Sequence, residues 1–399
     1  MDNNKYKILI DNKELNEPFF SVIVLTYNAS QFIEQALKNI YNQNFDDFEL
    51  VLVNDGSNDD TDYIVNKNQD KRLRYIKNNS NEGVGNSREL AINLSRGKYI
   101  VFVDVDDIVS NDLLSSIKNE IDKHDTDFII YGFNERYIDK ANKLLWSKNR
   151  LPYEAYRQFE EKNGNKYNYK ITEDNIANSL FIEDTKTINS LLIYLEDATI
   201  FGYPWNKCYK AQIVKENNIH FENISIYEDI FFNLDYYQKI KSIVLLNKVL
   251  YIYNNKYDNK SLTKKDYDNY FKLSKNRVNK VYNAIDKSNN FDVNSLEILK
   301  RIYIRYAYSE LNRCINRKYT VKQVLSRFDE IRNDQLFEAI LDKLKYHIEQ
   351  SNNKKTKVSF SSIMEDCFIK KKKKKVILLA RIINFVNKYL YVFYLKLAK

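Results

Sequence analysis

From Phe20 onward, short apolar runs alternate with stretches whose apolar residues recur at helical spacing. The run 21–28 (SVIVLTYN) predicts a buried strand, and within 31–43 the residues Phe32, Ala36, Leu37 and Ile40 share one helical face. The cycle then repeats, with strands expected at 48–55 (FELVLVND), 73–78 (LRYIKN), 98–105 (KYIVFVDV) and 127–133 (DFIIYGF) and helices between them. Ser57 is the expected N-cap of the helix after the second strand, with Asp59 and Asp60 in its first turn. Alternation of this kind makes an α/β fold: a mostly parallel sheet with helices on both faces, which places ligands at the carboxyl ends of its strands.

Residues 134–185 are polar and tyrosine-rich without clear periodicity, and read as a long excursion. A helix resumes near Ile188–Asp197, an apolar strand returns at 242–254 (SIVLLNKVLYIYN), and 267–350 is helical in pattern throughout. The expected organisation is an extension over 1–19, the α/β domain over 20–255, a helical domain over 256–350, a basic linker over 351–375 and an amphipathic helix over 376–399.

Composition changes this picture in two places. The chain of 399 residues holds 7 glycines and 3 prolines, where average usage would give about 28 and about 20. Four of those glycines, Gly56, Gly83, Gly85 and Gly97, fall in one stretch, which marks it as the place to look for function. The net charge of +9 is concentrated: residues 370–399 carry ten basic side chains and no acid, so the rest of the chain is close to neutral. A nucleic-acid partner is therefore not expected. Cys208, Cys314 and Cys367 lie far apart with no CxxC pair, which argues against a zinc site or a disulfide framework. The first twenty residues lack a signal-peptide pattern, so a reducing cytoplasm is the expected compartment.

The chemistry collects where the strands end. Thr26, Tyr27 and Asn28 follow the first strand, Asn54, Asp55, Gly56 and Ser57 the second, and Asp104, Val105, Asp106 and Asp107 the fourth. In a parallel sheet these clusters converge on one site. Carboxylates as close as Asp104, Asp106 and Asp107 repel unless a cation neutralises them, and Mg²⁺ or Mn²⁺ bridging a diphosphate does so with oxygen ligands. A solvated acidic turn capping the next helix is the other reading of these residues. No GxxxxGK[ST] loop and no GxGxxG accompany the strands, which excludes P-loop and dinucleotide-binding chemistry. After the third strand come Asn81, Gly83, Gly85 and Arg88, where backbone can approach a phosphate and Arg88 adds charge.

The order SVIVLTYN, then Asn54-Asp55-Gly56-Ser57, then Asn81-Glu82-Gly83 with Ser87-Arg88, then Phe102 to Asp107 resembles the family 2 glycosyltransferases of the GT-A fold. Gly202-Tyr203-Pro204-Trp205-Asn206-Lys207 and Ile226-Tyr227-Glu228-Asp229-Ile230 match that family's later motifs. The resemblance implies a nucleotide-diphosphate sugar donor, usually UDP-linked, and a single displacement with inversion. It places Thr26, Tyr27, Asn28, Asp55, Gly56, Ser57, Gly83, Arg88, Asp104 and Val105 at the donor, with Tyr27 stacked on the base and Asp55 bonded to it. It makes Asp106, together with Asp104, the ligands of Mn²⁺ or Mg²⁺. Asp229 becomes the general base toward an acceptor hydroxyl, with Glu228 as helper or alternate, and Trp205, Asn206 and Lys207 face the acceptor. Asp229 also begins the helical pattern DIFFNLDYY, where it complements the helix dipole, and Trp205 also reads as a core residue. Two features depart from the family pattern: Glu89 brings a charge near the donor, and His124, His220 and His347 are not placed to complete a metal site. Two competing functions are a sugar nucleotidylyltransferase, which needs a basic glycine-rich loop absent from 26–31, and an inactive scaffold for polysaccharide assembly.

Lys370–Lys375 precede VILLARIINFVNKYLYVFYLKLAK. Arg381, Asn384, Asn387 and Lys388 fall on one side of that helix and Leu379, Ile382, Phe385, Val386, Tyr389, Leu390 and Phe393 on the other. This predicts a helix lying on an anionic membrane surface, at the cytoplasmic face, close to a glycan or lipid-linked acceptor. Docking on the protein's own helical domain, or on a second subunit of a homo-oligomer, is the alternative.

Overall fold

The computed structural model describes residues 5–11, 17–139, 143–163, 178–224, 226–256, 267–289, 291–350 and 360–389. The described chain divides into two compact units, one of residues 1–191 with 198–257 and one of 192–197 with 258–399.

The first unit is built on a mixed sheet of eleven strands. They are β1 (Tyr6–Asp11), β2 (Phe20–Thr26), β3 (Phe48–Asn54), β4 (Leu73–Asn78), β5 (Tyr99–Asp104), β6 (Ile108–Val109), β7 (Phe128–Ile138), β8 (Leu144–Arg150), β9 (Ser179–Ile182), β10 (Lys207–Lys210) and β11 (Ile243–Lys256). Strands β4, β3, β2 and β5 run parallel in that spatial order. Every residue of β3 is buried, as expected of a parallel strand covered on both faces. Register aligns Thr26 with Asn54 and Leu25 with Asp104, so the three strand tips end at one level. The order of the strands reverses at β2, and the crevice beyond β2 and β5 is the expected ligand site.

Three local expectations are corrected. The helix after β3 starts at Thr61, and Ser57 does not cap it: its N–H donates to Asn54 Oδ1 and its hydroxyl accepts from the Asn28 N–H. Asp59 serves that helix instead, accepting from the Thr61 N–H at 3.1 Å. The N-terminal extension contributes a strand, since β1 pairs antiparallel with β4 at the sheet edge. The excursion is partly regular: β8 folds back on β7, a helix spans Pro152–Asn163, and β9 pairs with β11, while 164–177, including Gly164, lies outside the described residues.

The second unit is helical, with Tyr270–Lys287, Val293–Asn316, Val321–Arg332, Gln335–Gln350, Phe360–Ile369 and Lys373–Tyr389. Two of these begin with capping boxes, Asp292 with Ser295 and Thr320 with Gln323. Its core gathers Tyr303, Phe328, Phe337 and Phe368. The basic tail docks within this unit along one face: Val376, Ile377 and Ala380 are buried, whereas Leu378 and Ile382 are 59% and 43% exposed. Lys370 and Lys372 pair with Asp366, and Lys373 pairs with Asp329. So the expected lipid-facing lysine run is in part a set of internal ion pairs, and of the expected apolar stripe only Leu379, half-buried, and Ile382, exposed, fall among the described side chains. Side chains from 383 onward and the residues 351–359 and 390–399 lie outside the described set. Among the described residues, no helix is long and apolar enough to cross a membrane.

Candidate active site

The tip of β2 leads into a turn that stitches neighbouring strands together. Asn28 takes a left-handed backbone (φ 49°), which asparagine tolerates, and its Oδ1 accepts from the Asn58 N–H. Tyr27 stands 48% exposed beside it, a free aromatic face at a strand end. Thr26 Oγ1 is buried with no hydrogen-bond partner among the described residues, the kind of unsatisfied group that a bound ligand would satisfy.

Asp55 is buried and already engaged: its carboxylate accepts from Asn78 Nδ2, the Glu82 N–H and the Gly83 N–H at 2.8–3.0 Å. It thereby holds the 80–83 loop in place, with Oδ2 retaining room for one further donor. Gly56 (φ 77°) sits against that loop so closely that a Cβ would lie 2.6 Å from the Ser80 carbonyl carbon. Gly83 (φ 88°) needs its backbone freedom but has open space around it. Val105 is half-buried on the turn after β5.

The helix Val84–Leu94 follows and carries Arg88 into the site. Arg88 is buried and reaches three acids: it hydrogen-bonds Asp229 directly and lies 3.6 Å from Glu228 and 3.7 Å from Asp104. Its guanidinium also covers the Phe221 ring, which stacks on Phe232. The neighbouring Glu89 does not face the donor side; its carboxylate accepts from the Phe221 N–H and from Asn93. The charge that departed from the family pattern is a brace for the 220–222 loop.

Glu228 and Asp229 open the helix Glu228–Tyr237. Tyr227 before them adopts a left-handed conformation (φ 73°), strained for a bulky side chain, and turns the pair toward Arg88. Withdrawal from water, more than any neighbour, pushes the Asp229 carboxyl up to about 7; Arg88 and Lys207 pull it down and Glu228 pushes it further up. The Asp104 carboxyl rises to about 6, again mainly by desolvation, with Arg88 opposing and Asp106 and Asp229 adding.

The three aspartates after β5 do different work. The side chain of Asp104 is 40% exposed and Asp106 is exposed, but Asp107 is buried, accepting from the Tyr251 hydroxyl and the Asn254 N–H. No group of three or more acidic, histidine or cysteine side chains arranged to hold a metal is found among the described residues. Two carboxylates on one turn, Asp106 adding to the raised proton affinity of Asp104, still fit a hard divalent ion that completes its shell with water and substrate oxygens. His124 stacks on Phe181, His220 contacts the Asn218 carbonyl and His347 belongs to the helical unit, so none of them joins the turn.

The acceptor-side expectation needs correction. Trp205 is 3% exposed and stacked among Tyr203, Tyr251 and Tyr253, while Asn206 and Lys207 are fully buried. Lys207 Nζ donates to the carbonyls of Ile200 and Tyr203 and to Asn206 Oδ1; Asn206 Nδ2 donates to the Ile200 and Tyr131 carbonyls. Asn233, from the helix that carries Asp229, donates to the Phe201 carbonyl. Buried in this way, Trp205, Asn206 and Lys207 support the site from beneath and have no exposed face for an acceptor. Tyr251 is the residue that sequence reasoning missed: nothing in an apolar strand pattern marks one tyrosine as the partner of a strand tip 147 residues away.

Comparison with known proteins agrees with this geometry. The glycosyl transferase family 2 profile matches residues 21–184. The uncharacterised glycosyltransferase EpsJ of Bacillus subtilis is 28% identical over 239 residues, 59% of this chain and 61% of its own. The UDP-Glc:alpha-D-GlcNAc-diphosphoundecaprenol beta-1,3-glucosyltransferase WfaP of Escherichia coli is 32% identical over 120 residues, 30% of this chain and 47% of its own. The chain thus spans about three fifths or less of these relatives' lengths. The crystal structure of Staphylococcus aureus TarS 1–349 in complex with UDP-GlcNAc superposes with a TM-score of 0.55 at 18% identity, covering 91% of each chain, which shows a shared fold. Residues 21–184 match the glycosyl transferase family 2 model, and the chain shares the GT-A fold of TarS.

Proposed function

We propose that the chain transfers a sugar from a nucleotide-diphosphate donor, UDP-linked, to a hydroxyl of a glycan or lipid-linked acceptor, in one displacement that inverts the anomeric centre. The observation that carries this reading is the bridge made by Arg88, which joins Asp104 at the donor-side strand tip to Asp229 at the head of the helix opposite. One end of that bridge suits a diphosphate and the other suits a proton acceptor. Asp229, with its carboxyl near 7, takes the proton from the acceptor oxygen as that oxygen attacks. Arg88 holds the Asp229 carboxylate in the anionic form and aimed into the crevice, with Glu228 beside it as the auxiliary acid. Tyr27 offers the base a stacking face, and Asp55 with the 80–83 loop shapes the uridine side. Asp104 and Asp106 would hold Mn²⁺ or Mg²⁺, which when bound supplies charge neutralisation to the leaving diphosphate.

The relatives support the substrate classes: WfaP is named for a UDP-glucose donor and a diphosphoundecaprenol-linked acceptor, and TarS was crystallised with UDP-GlcNAc. Exposed Leu378 and Ile382 next to Lys374 and Lys375 support docking of the tail on an anionic membrane at its cytoplasmic face. Replacing both apolar residues by serine should release the protein from phosphatidylglycerol vesicles without changing its melting temperature; unchanged vesicle binding would refute this part. A panel of nucleotide sugars, each with and without Mn²⁺, tests the whole: turnover of at least one UDP-sugar is expected, and turnover of none would overturn the reading.

A further inference from the structure

The aromatic stack under the site has a consequence for the donor side. Tyr251, buried in β11, stacks on Trp205 with ring centroids 4.4 Å apart, and Trp205 in turn stacks on Tyr203 at 4.7 Å. The Tyr251 hydroxyl emerges from this stack at the acidic turn. It accepts from the Asp104 N–H at 3.1 Å and donates to Asp107 Oδ2 at 2.9 Å. Asp107 Oδ1 accepts from the Asn254 N–H at 3.0 Å, and its own N–H closes the turn onto the Asp104 carbonyl at 3.2 Å. β11 also pairs with β6 directly after the turn, with Tyr251 opposite Val109. Among the described residues, the hydrogen bonds to the Asp104 N–H and to both Asp107 carboxylate oxygens come from β11, while Arg88 faces the Asp104 carboxylate.

We propose that Tyr251 is the positioning residue of the acidic turn, and that the Trp205 segment acts through it: the stack sets where Asp104 and Asp106 are presented to the diphosphate and its cation, while Asp107 is an anchor and not a ligand. The inference rests on the reading of Asp104 and Asp106 as the diphosphate side of a donor site. The physical ground is that a site of two carboxylates has no redundant ligand, so an error of an ångström in their spacing goes directly into cation and donor affinity. The buried anchor costs free energy unless both of its oxygens are bonded, which is why the hydroxyl of Tyr251 and not its ring is decisive.

The test is binding, not turnover. The chain has two tryptophans, so in a Trp146→Phe background the emission of Trp205, stacked on Tyr251, reports on the turn. UDP with Mn²⁺ is titrated by calorimetry and by this fluorescence against the background protein, Tyr251→Phe, Asp106→Asn and Asp107→Asn. Tyr251→Phe keeps the ring and removes only the hydroxyl; a loss of about tenfold or more in UDP–Mn²⁺ affinity is expected, as ligand misplacement predicts. Asp107→Asn can still accept from the Asn254 N–H and donate to the Tyr251 oxygen, so it should stay within about threefold of the background, far from the loss in Asp106→Asn. Unchanged affinity in Tyr251→Phe overturns the proposal. If Tyr251→Phe fails to fold, Asp107→Asn decides: a loss equal to that of Asp106→Asn makes Asp107 a ligand and overturns it too. Absence of UDP–Mn²⁺ binding by the background protein would instead remove the donor-site reading on which the inference stands.

Discussion

Two motifs of similar sequence clarity play opposite physical roles. The turn Asp104–Asp107 ends a buried strand and presents two of its three carboxylates outward, whereas in the segment Gly202–Lys207 the side chains of Asn206 and Lys207 turn their polar atoms inward. The first can touch a substrate and the second cannot. Both belong to the same site all the same, since the second supports Tyr251 beneath the turn and is tied through Asn233 to the helix of Asp229. A motif in a sequence therefore says that a site depends on those residues, not that they line it.

That contrast can be broken by substitution. Asp229→Asn removes the proposed proton acceptor while leaving the donor side untouched; transfer should fall about 10³-fold with UDP binding within about threefold of the parent, as single-turnover kinetics and calorimetry would show. Trp205→Ala truncates a buried aromatic and should cost about 3–5 kcal/mol of stability, read by chemical denaturation. An acceptor platform would behave the other way, raising the acceptor KM at unchanged stability. Arg88→Lys keeps the charge but loses the planar fork that reaches Asp229 and Asp104 together, and a drop of about 10- to 100-fold in kcat/KM is expected. The smallest effects are at the glycines. Gly83→Ala meets open space and should cost only the strain of a positive φ, about 1 kcal/mol, while Gly56→Ala also drives its Cβ into the Ser80 backbone and should cost more. Equal melting temperatures for the two variants would contradict the difference in their surroundings.

The parallel strands and their polar tips were legible because a buried parallel strand is a continuous apolar run and its end is abrupt: β2, β3 and β5 each stop at a polar cluster. The helix at Glu228 was legible for the same reason of period. β1 and β8 through β10 were not, because these strands are short or half-exposed and owe their existence to partners far along the chain. Arg88 is tied to Asp229 across 141 residues, and no local period encodes such a pairing. The inward turn of Trp205 was hidden because an aromatic has the same letter on a platform and in a core. For the tail lysines, the sequence showed charge without showing that Asp366 and Asp329 stand opposite them.

The pH dependence of transfer in the parent and in an Arg88→Lys variant, each measured as kcat/KM for the acceptor, tests most directly the claim that Asp229 is a base poised by Arg88. Asp229 must be deprotonated to accept a proton, so kcat/KM should fall about tenfold per pH unit below about 7 and level off above it. Arg88 lowers the proton affinity of Asp229, so weakening their contact should move that limb to higher pH. A limb that stays in place in the variant, or a parent rate that does not fall below pH 7, would contradict the account.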